Sequence, residues 1–401
     1  MEKLNTERLI LLRGVLRDGA AAALERALGH DDVGEYAKAY EILLEADMQN
    51  SFADYLSGLI LREDSLFARR ACVGKPAKAV CDAMANDLRI LQNFAKRTDE
   101  LPGEIRRATE EGFPKIGYGK ESGLFGKDWA ADKTVANLAQ FYRGNGYGIY
   151  IGNKAFTFDG EKLKPVRNTP EITLRDLKDY AEEKKAVEDN IVNFVEGLPY
   201  SNMLLYGDKG TGKSSTIHAM LNKYAEKGLR CVEIPKEQIC LINEVKEVLS
   251  TLPFKFILFI DDLSLEERDE KVTALKAGLE GSIHERSSNV MIAATSNRRH
   301  IVKENFSDRD NSVHARDTME EQLSLSDRFG LTVCFSSTGK PEYLSIVKQL
   351  AADAHISLGE EELCSLAERW AIVKGGRSPR RAKQFVDYAY SCLAKNIPID
   401  I

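Results

Sequence analysis

The chain has 401 residues, 43% apolar and 29% charged, a globular balance that excludes a disordered or fibrous protein. Such a length calls for two or three domains rather than one core. The formal charge of −6 gives no overall attraction to nucleic acid, and no uninterrupted apolar run approaches the roughly 20 residues that span a bilayer.

Seven cysteines form no C-x-x-C pair and stand at no zinc-finger spacing, and the first residues lack the basic start and cleavage site of a signal peptide. A reduced, cytoplasmic setting without membrane contact is expected.

From residue 5 to about 107, apolar residues recur at three- and four-residue steps, as in Leu9, Leu12, Val15 and Leu16 and again in Leu56, Leu59 and Ile60. That period predicts a helical bundle whose expected role is packing or partner binding. Glycines crowd over 111–129 (Gly112, Gly117, Gly119, Gly123, Gly126), marking a connector. Residues 147–151 and 155–158 are then expected to pair as strands around Gly152-Asn153-Lys154. Pro165 and Pro170 precede an amphipathic helix expected from near Thr173.

Further on, short apolar runs at 203–206, 229–234, 254–260, 290–295 and 331–335 alternate with helical segments, the first of these at 214–227. Near-continuous apolar strands separated by helices predict a parallel sheet covered on both faces. Three helices are expected from Pro341 onward. The division expected is 1–110 helical domain, 111–170 glycine-rich connector with a small β-hairpin, 171–337 α/β core, and 338–401 helical lid.

Chemistry concentrates at the strand ends. Gly207-Asp208-Lys209-Gly210-Thr211-Gly212-Lys213-Ser214, followed by Ser215, satisfies G-x-x-x-x-G-K-[ST] at every fixed position, with an apolar strand before it and a helix after. Glycines let such a loop curl around phosphates, and the next helix adds its positive end. Lys213 is expected to reach the outer phosphates of ATP or ADP, and Ser214 to ligate Mg²⁺.

The strand at 254–260 delivers Asp261 and Asp262 to its C-terminal end, where ligands bind in open α/β sheets. Asp261 is expected to hold the Mg²⁺, and Asp262 to orient or deprotonate the attacking water. Asn297 follows the next strand and can hydrogen-bond that water or the γ-phosphate; a turn-forming asparagine is its other reading. Arg328, before the last strand, can project onto a nucleotide held by a neighbouring subunit, or simply pair with Asp327. Among Arg377, Arg380 and Arg381, at the start of the last helix, Arg380 is the choice for reaching back to the phosphates; a solvated face is the alternative.

In this order the segments resemble the AAA+ superfamily. The resemblance implies a P-loop core with a five-stranded parallel sheet and a C-terminal helical lid. It makes Lys213 part of Walker A, Asp261 and Asp262 of Walker B, Asn297 sensor 1, Arg328 the arginine finger and Arg380 sensor 2. From about Thr173 onward the segments Leu205-Tyr206-Gly207, Asp261-Asp262-Leu263-Ser264, Ala294-Thr295-Ser296-Asn297-Arg298-Arg299-His300 and Ser324-Leu325-Ser326-Asp327-Arg328-Phe329-Gly330-Leu331 are similar to a bacterial AAA+ family catalogued as a domain of unknown function.

Asp262 stands where that superfamily usually has Glu, a side chain shorter by about 1.5 Å. Replication initiators and helicase or transposase loaders also carry the paired aspartates. No aromatic–hydrophobic–glycine tripeptide of an unfoldase pore loop lies between Ile234 and Pro253.

The expected activity is Mg-dependent ATP hydrolysis by a homo-oligomer that remodels or loads a macromolecular partner. The alternative is an ATP-dependent switch or scaffold that binds a protein partner through its N-terminal helices. DNA loading is disfavoured by the acidic charge and by the lack of a nucleic-acid module. The charged stretch 303–322 is a further candidate partner surface or a solvated insertion.

Overall fold

The computed structural model describes residues 4–119, 123–266, 270–280, 289–297, 302–303, 325 and 327–401. They form two compact units, Met1–Gly152 with Thr251–Pro253, and Asn153–Ser250 with Phe254–Ile401.

The first unit is helical: α1 (Gly19–His30), α2 (Val33–Glu45), α3 (Phe52–Arg62), α4 (Leu66–Val73), α5 (Lys78–Lys96), α6 (Gly103–Glu110) and α7 (Asp132–Asn145). Helix α1 starts where Asp18 accepts from the Ala20 and Ala21 N–H groups, satisfying donors that have no partner inside the helix. Its Ala20, Ala21, Ala23, Leu24, Ala27 and Leu28 enter a core shared with Phe52, Phe67, Leu88 and Phe94.

Buried Asp87 of α5 closes the N-terminal segment onto this core. Its carboxylate accepts from the N–H groups of Ile10 (2.9 Å), Leu11 (2.6 Å) and Leu12 (3.0 Å), so the buried charge is paid for by donors that would otherwise be unmet. The glycine-rich stretch also has a packing role: the carbonyls of Gly117 and Tyr118 accept from the first N–H groups of α3.

The second unit opens with β1 (Ala155–Phe158) and β2 (Leu163–Pro165), then α8 (Ala181–Glu196), β3 (Met203–Gly207), α9 (Lys213–Tyr224), β4 (Leu229–Glu233), α10 (Ile242–Ser250) and β5 (Lys255–Ile260). It continues with β6 (Leu265–Glu266), α11 (Glu270–Glu280), β7 (Val290–Ser296), β8 (Val302–Lys303) and β9 (Leu331–Phe335). Three last helices follow: α12 (Lys340–Asp353), α13 (Glu360–Val373) and α14 (Pro379–Ala394).

The main sheet runs β2-β1-β4-β5-β7-β3-β9. Strands β4, β5, β7, β3 and β9 are the five parallel strands expected; among the described residues β1, also parallel, and the antiparallel β2 extend the sheet to seven, with β6 and β8 forming a separate pair.

The pairing expected for 147–151 is not the one formed. Residues Gly148–Tyr150 make a 3₁₀ turn, with Gly148 at φ +54°, while β1 pairs antiparallel with β2 and parallel with β4. The turn is built by Asp159, whose carboxylate accepts from the N–H groups of Glu161 and Lys162 at 3.0 and 2.9 Å, and Pro165 is tolerated because β2 is an edge strand. Helix α8 starts at Ala181, later than Thr173, because Asp179 and Tyr180 adopt left-handed backbone at φ +67° and +55°.

One sheet face packs Met203, Leu205, Ile257, Phe259 and Met291 against Val187, Ile191 and Phe194 of α8 and Ile217 and Met220 of α9. Alternate residues Leu204, Phe256, Leu258, Ile260 and Ile292 are buried too, so both faces are covered and the strands read as unbroken apolar runs. Helices α12–α14 have their own core of Tyr343, Ile346, Val347, Leu363, Phe385 and Val386. No helix among the described residues is long and apolar enough to cross a membrane.

Candidate functional site

Strand β3 lies between β7 and the edge strand β9, so the loop after it emerges one strand in from the edge of the sheet. Gly207 faces Phe335 across the β3–β9 pair at φ +132°, and a Cβ there would stand 1.9 Å from the Phe335 carbonyl oxygen. Gly207→Ala therefore forces a strand to move and strains the backbone, with an expected loss of about 2–5 kcal/mol. A urea midpoint unchanged from wild type would refute this.

Gly210 packs under the lid. A Cβ on it would meet Arg380 Cβ at 3.0 Å and Ser378 Oγ at 3.1 Å, and the Arg380 N–H donates to the Gly210 carbonyl at 3.2 Å. Ser378 caps α14 by accepting from the Arg381 N–H, which sets the first turn of that helix on the loop.

Lys213 opens α9 and is nearly buried. Its ammonium donates to the carbonyls of Gly207 (2.8 Å) and Asp208 (2.7 Å) and reaches Asn297 Oδ1 at 3.5 Å. Burial lowers its pKa below the usual lysine range, against the pull of Asp208, Asp261 and Asp262. Thr211 Oγ1 donates to the Asp208 carbonyl at 2.8 Å and tightens the loop.

The two aspartates have different surroundings. Asp261 Oδ1 accepts from Ser214 Oγ at 2.6 Å and from Thr295 Oγ1 at 2.5 Å. Asp262 has left-handed backbone (φ +50°), and its N–H donates to Thr295 Oγ1 at 2.8 Å. Its carboxylate accepts from the Asn297 amide and lies 3.5 Å from the Lys236 ammonium. Thr295 thus ties the end of β7 to the end of β5.

Lys209, Gly210, Thr211, Gly212, Lys213, Ser214, Ser215, Asp261, Asp262, Asn297 and Arg380 line one cavity of about 590 Å³. Gly207 and Asp208 contribute carbonyls behind it. Arg377 pairs with Glu368 and Arg381 with Gln384, and neither lines the cavity. Arg328, half-buried, is not among the lining residues of its own chain. Arg298, Arg299, His300, Ser324 and Ser326, and all of the charged stretch 303–322 but Lys303, lie outside the described residues.

Sequence reasoning missed Thr295, Lys236 and Tyr180. Thr295 carried a usable signal: a hydroxyl in an otherwise apolar buried strand must find a partner. Lys236 follows the C-terminal end of β4, the neighbour of β5, and Tyr180 precedes α8; nothing in their own segments marks either as a site residue.

A glycine loop, a buried ammonium at a helix N-terminus and a hydroxyl–carboxylate pair of hard oxygens, all at the C-terminal edge of a parallel sheet, define an α/β P-loop protein with a C-terminal three-helix segment. The chain belongs to the family described as "Protein of unknown function (DUF815)", whose model matches residues 152–393.

Among solved structures it is similar to the Thermotoga maritima RuvB Holliday junction branch migration motor, 16% identical over 57% of this chain and 67% of that one, at a TM-score of 0.41. It is also similar to the FIGL-1 AAA domain in complex with ADP, 18% identical over 58% of this chain and 77% of that one, at a TM-score of 0.39. No curated protein matches the chain.

Proposed function

We propose that this protein binds ATP with Mg²⁺ and hydrolyses it as a homo-oligomer that remodels or loads a macromolecular partner. The observation that carries the reading is one hydrogen-bonded set, Lys213–Asn297–Asp262 and Ser214–Asp261–Thr295, drawn from three neighbouring strand ends.

The loop residues Gly207, Asp208, Lys209, Gly210, Thr211, Gly212, Lys213, Ser214 and Ser215 would hold the phosphates, with Arg380 reaching them from the lid. The Lys213 ammonium, satisfied by carbonyls of its own loop, can pass those hydrogen bonds to phosphate oxygens. Ser214 and Asp261 suit Mg²⁺, which favours oxygen donors and keeps its own water. Two protein oxygens beside phosphate oxygens are a set of the kind Mg²⁺ takes. When bound, the ion offsets charge on the phosphates.

Asp262 would orient a water and take its proton, with Asn297 fixing the carboxylate and the water between them. Arg328 would act on the nucleotide of a neighbouring copy.

One observation favours a second reading, an ATP-dependent switch or scaffold with little hydrolysis. The Asp262 carboxylate is held by Asn297 and Lys236 on a left-handed backbone, so it can serve as a structural tie. Phosphate release from ATP by the purified protein, dependent on Mg²⁺ and rising with protein concentration, is expected under the first reading. ATP binding without release at any protein concentration would select the second. Asp262→Asn, which keeps size and removes the base, is the form with which to capture a protein partner in the ATP state; nucleic acid is the less favoured partner.

A further inference from the structure

Asp179 and Tyr180 are consecutive non-glycine residues with left-handed backbone, at φ +67° and +55°. Left-handed backbone is strained for a non-glycine residue, so the surroundings must hold them. Tyr180 is 7% exposed, and its ring lies 5.3 Å from that of Phe335, the last residue of β9. Its hydroxyl donates to the Ser336 carbonyl at 2.7 Å. A phenol has one proton, so Thr338 Oγ1, 3.1 Å away, is the donor in their contact. Burial raises the phenol's pKa by more than the Thr338 hydrogen bond lowers it, so the group stays a donor.

Ser336 and Thr338 belong to residues 336–339, the only covalent path from β9 into the first lid helix α12. Two residues earlier, Lys178 pairs at 2.6 Å with Asp353, the last residue of α12. Residues 178–180 therefore grip α12 through its entry link and its far end. They also line the cavity together with Arg380, which sits at the start of α14 and donates its N–H to Gly210 of the loop.

We infer that Tyr180 is a positioning residue that fixes the 336–339 link, and through it the placement of the lid's Arg380 over the P-loop cavity. This deepens the proposed ATPase reading and depends on it for one of the two readouts below.

Tyr180→Phe removes the hydroxyl and keeps the ring. In the full-length, nucleotide-free protein, amide hydrogen exchange of peptides covering 336–339 and 378–382 should rise about tenfold, the size expected for losing a buried hydrogen bond, while the α8 peptides stay unchanged. Thr338→Val, which removes the second partner, should move the same peptides in the same direction. Unchanged exchange in either variant overturns the inference, whether or not the protein binds ATP.

In Mg-ATP turnover, Tyr180→Phe should lower kcat roughly fivefold to tenfold with KM little changed and no fall in thermal midpoint beyond a few degrees. Added to Arg380→Ala, it should cost nothing further; additive losses would separate the two residues and overturn the inference. Failure of the wild-type protein to turn over ATP would instead count against the ATPase reading, and the exchange result alone would then decide the role of Tyr180.

Discussion

Lys213→Ala is expected to abolish ATP binding and turnover while leaving the fold as stable as before. The lysine enters the cavity at the N-terminus of α9 and is held there by the carbonyls of Gly207 and Asp208, 2.8 and 2.7 Å away. A phosphate is a better partner than a carbonyl because both charges then take part. Two charge-assisted hydrogen bonds at about 1.5–3 kcal/mol each correspond to a loss of affinity of about 100-fold or more.

Stability should respond differently. Burial holds the ammonium below the usual lysine range, so the charge itself is unfavourable to folding, and the carbonyls it leaves can take water from the cavity. The thermal midpoint should therefore stay within a few degrees of wild type. A titration of nucleotide against both proteins, beside their melting curves, separates a lost ligand from a lost fold. Wild-type-like turnover by the purified variant would rule out the P-loop as the site.

The P-loop and the strand-borne acids were legible because their chemistry is tied to spacing along the chain. Each of β3, β5 and β7 is an apolar run long enough to declare itself, and each leads to a residue of the proposed site: Gly207 at the end of β3, Asp261 just after β5 and Asn297 just after β7. A parallel sheet brings those ends to one edge, so strand identity is enough to predict their convergence.

The edge hairpin was harder. The 147–151 stretch has strand-like composition, but its side chains Tyr147 and Tyr150 pack on each other and Gly148 turns the backbone, a tertiary preference that overrides local propensity. The start of α8 was misplaced for a similar reason. Nothing local announces that Asp179 and Tyr180 leave the helical region; the partners that meet Tyr180 there are in the link at 336–339, more than 150 residues away in sequence. Thr295 falls between these cases, visible as a polar residue but with partners, Asp261 and the Asp262 N–H, that only pairing of β5 with β7 supplies.

Arg328→Ala is expected to leave ATP affinity within about threefold of wild type and to lower turnover by roughly a thousandfold or more, the range associated with an arginine supplied to a phosphoryl transition state. Arg328 precedes β9, whose neighbour β3 feeds the P-loop, yet it does not line the cavity of its own chain. An action on nucleotide thus requires a second copy, which makes the prediction testable by complementation.

Lys213→Ala subunits keep Arg328 but cannot hold ATP, and Arg328→Ala subunits hold ATP but lack the donor. Each preparation alone should be nearly inactive. Mixed, they should regain turnover wherever a Lys213→Ala subunit presents its arginine to an intact P-loop, and the gain should rise and then fall as the ratio is varied. Unchanged turnover in Arg328→Ala alone would assign the residue to a local ion pair. A large loss with no recovery on mixing would mean that Arg328 supports its own subunit's fold or site, and the shared-site model would have to be abandoned.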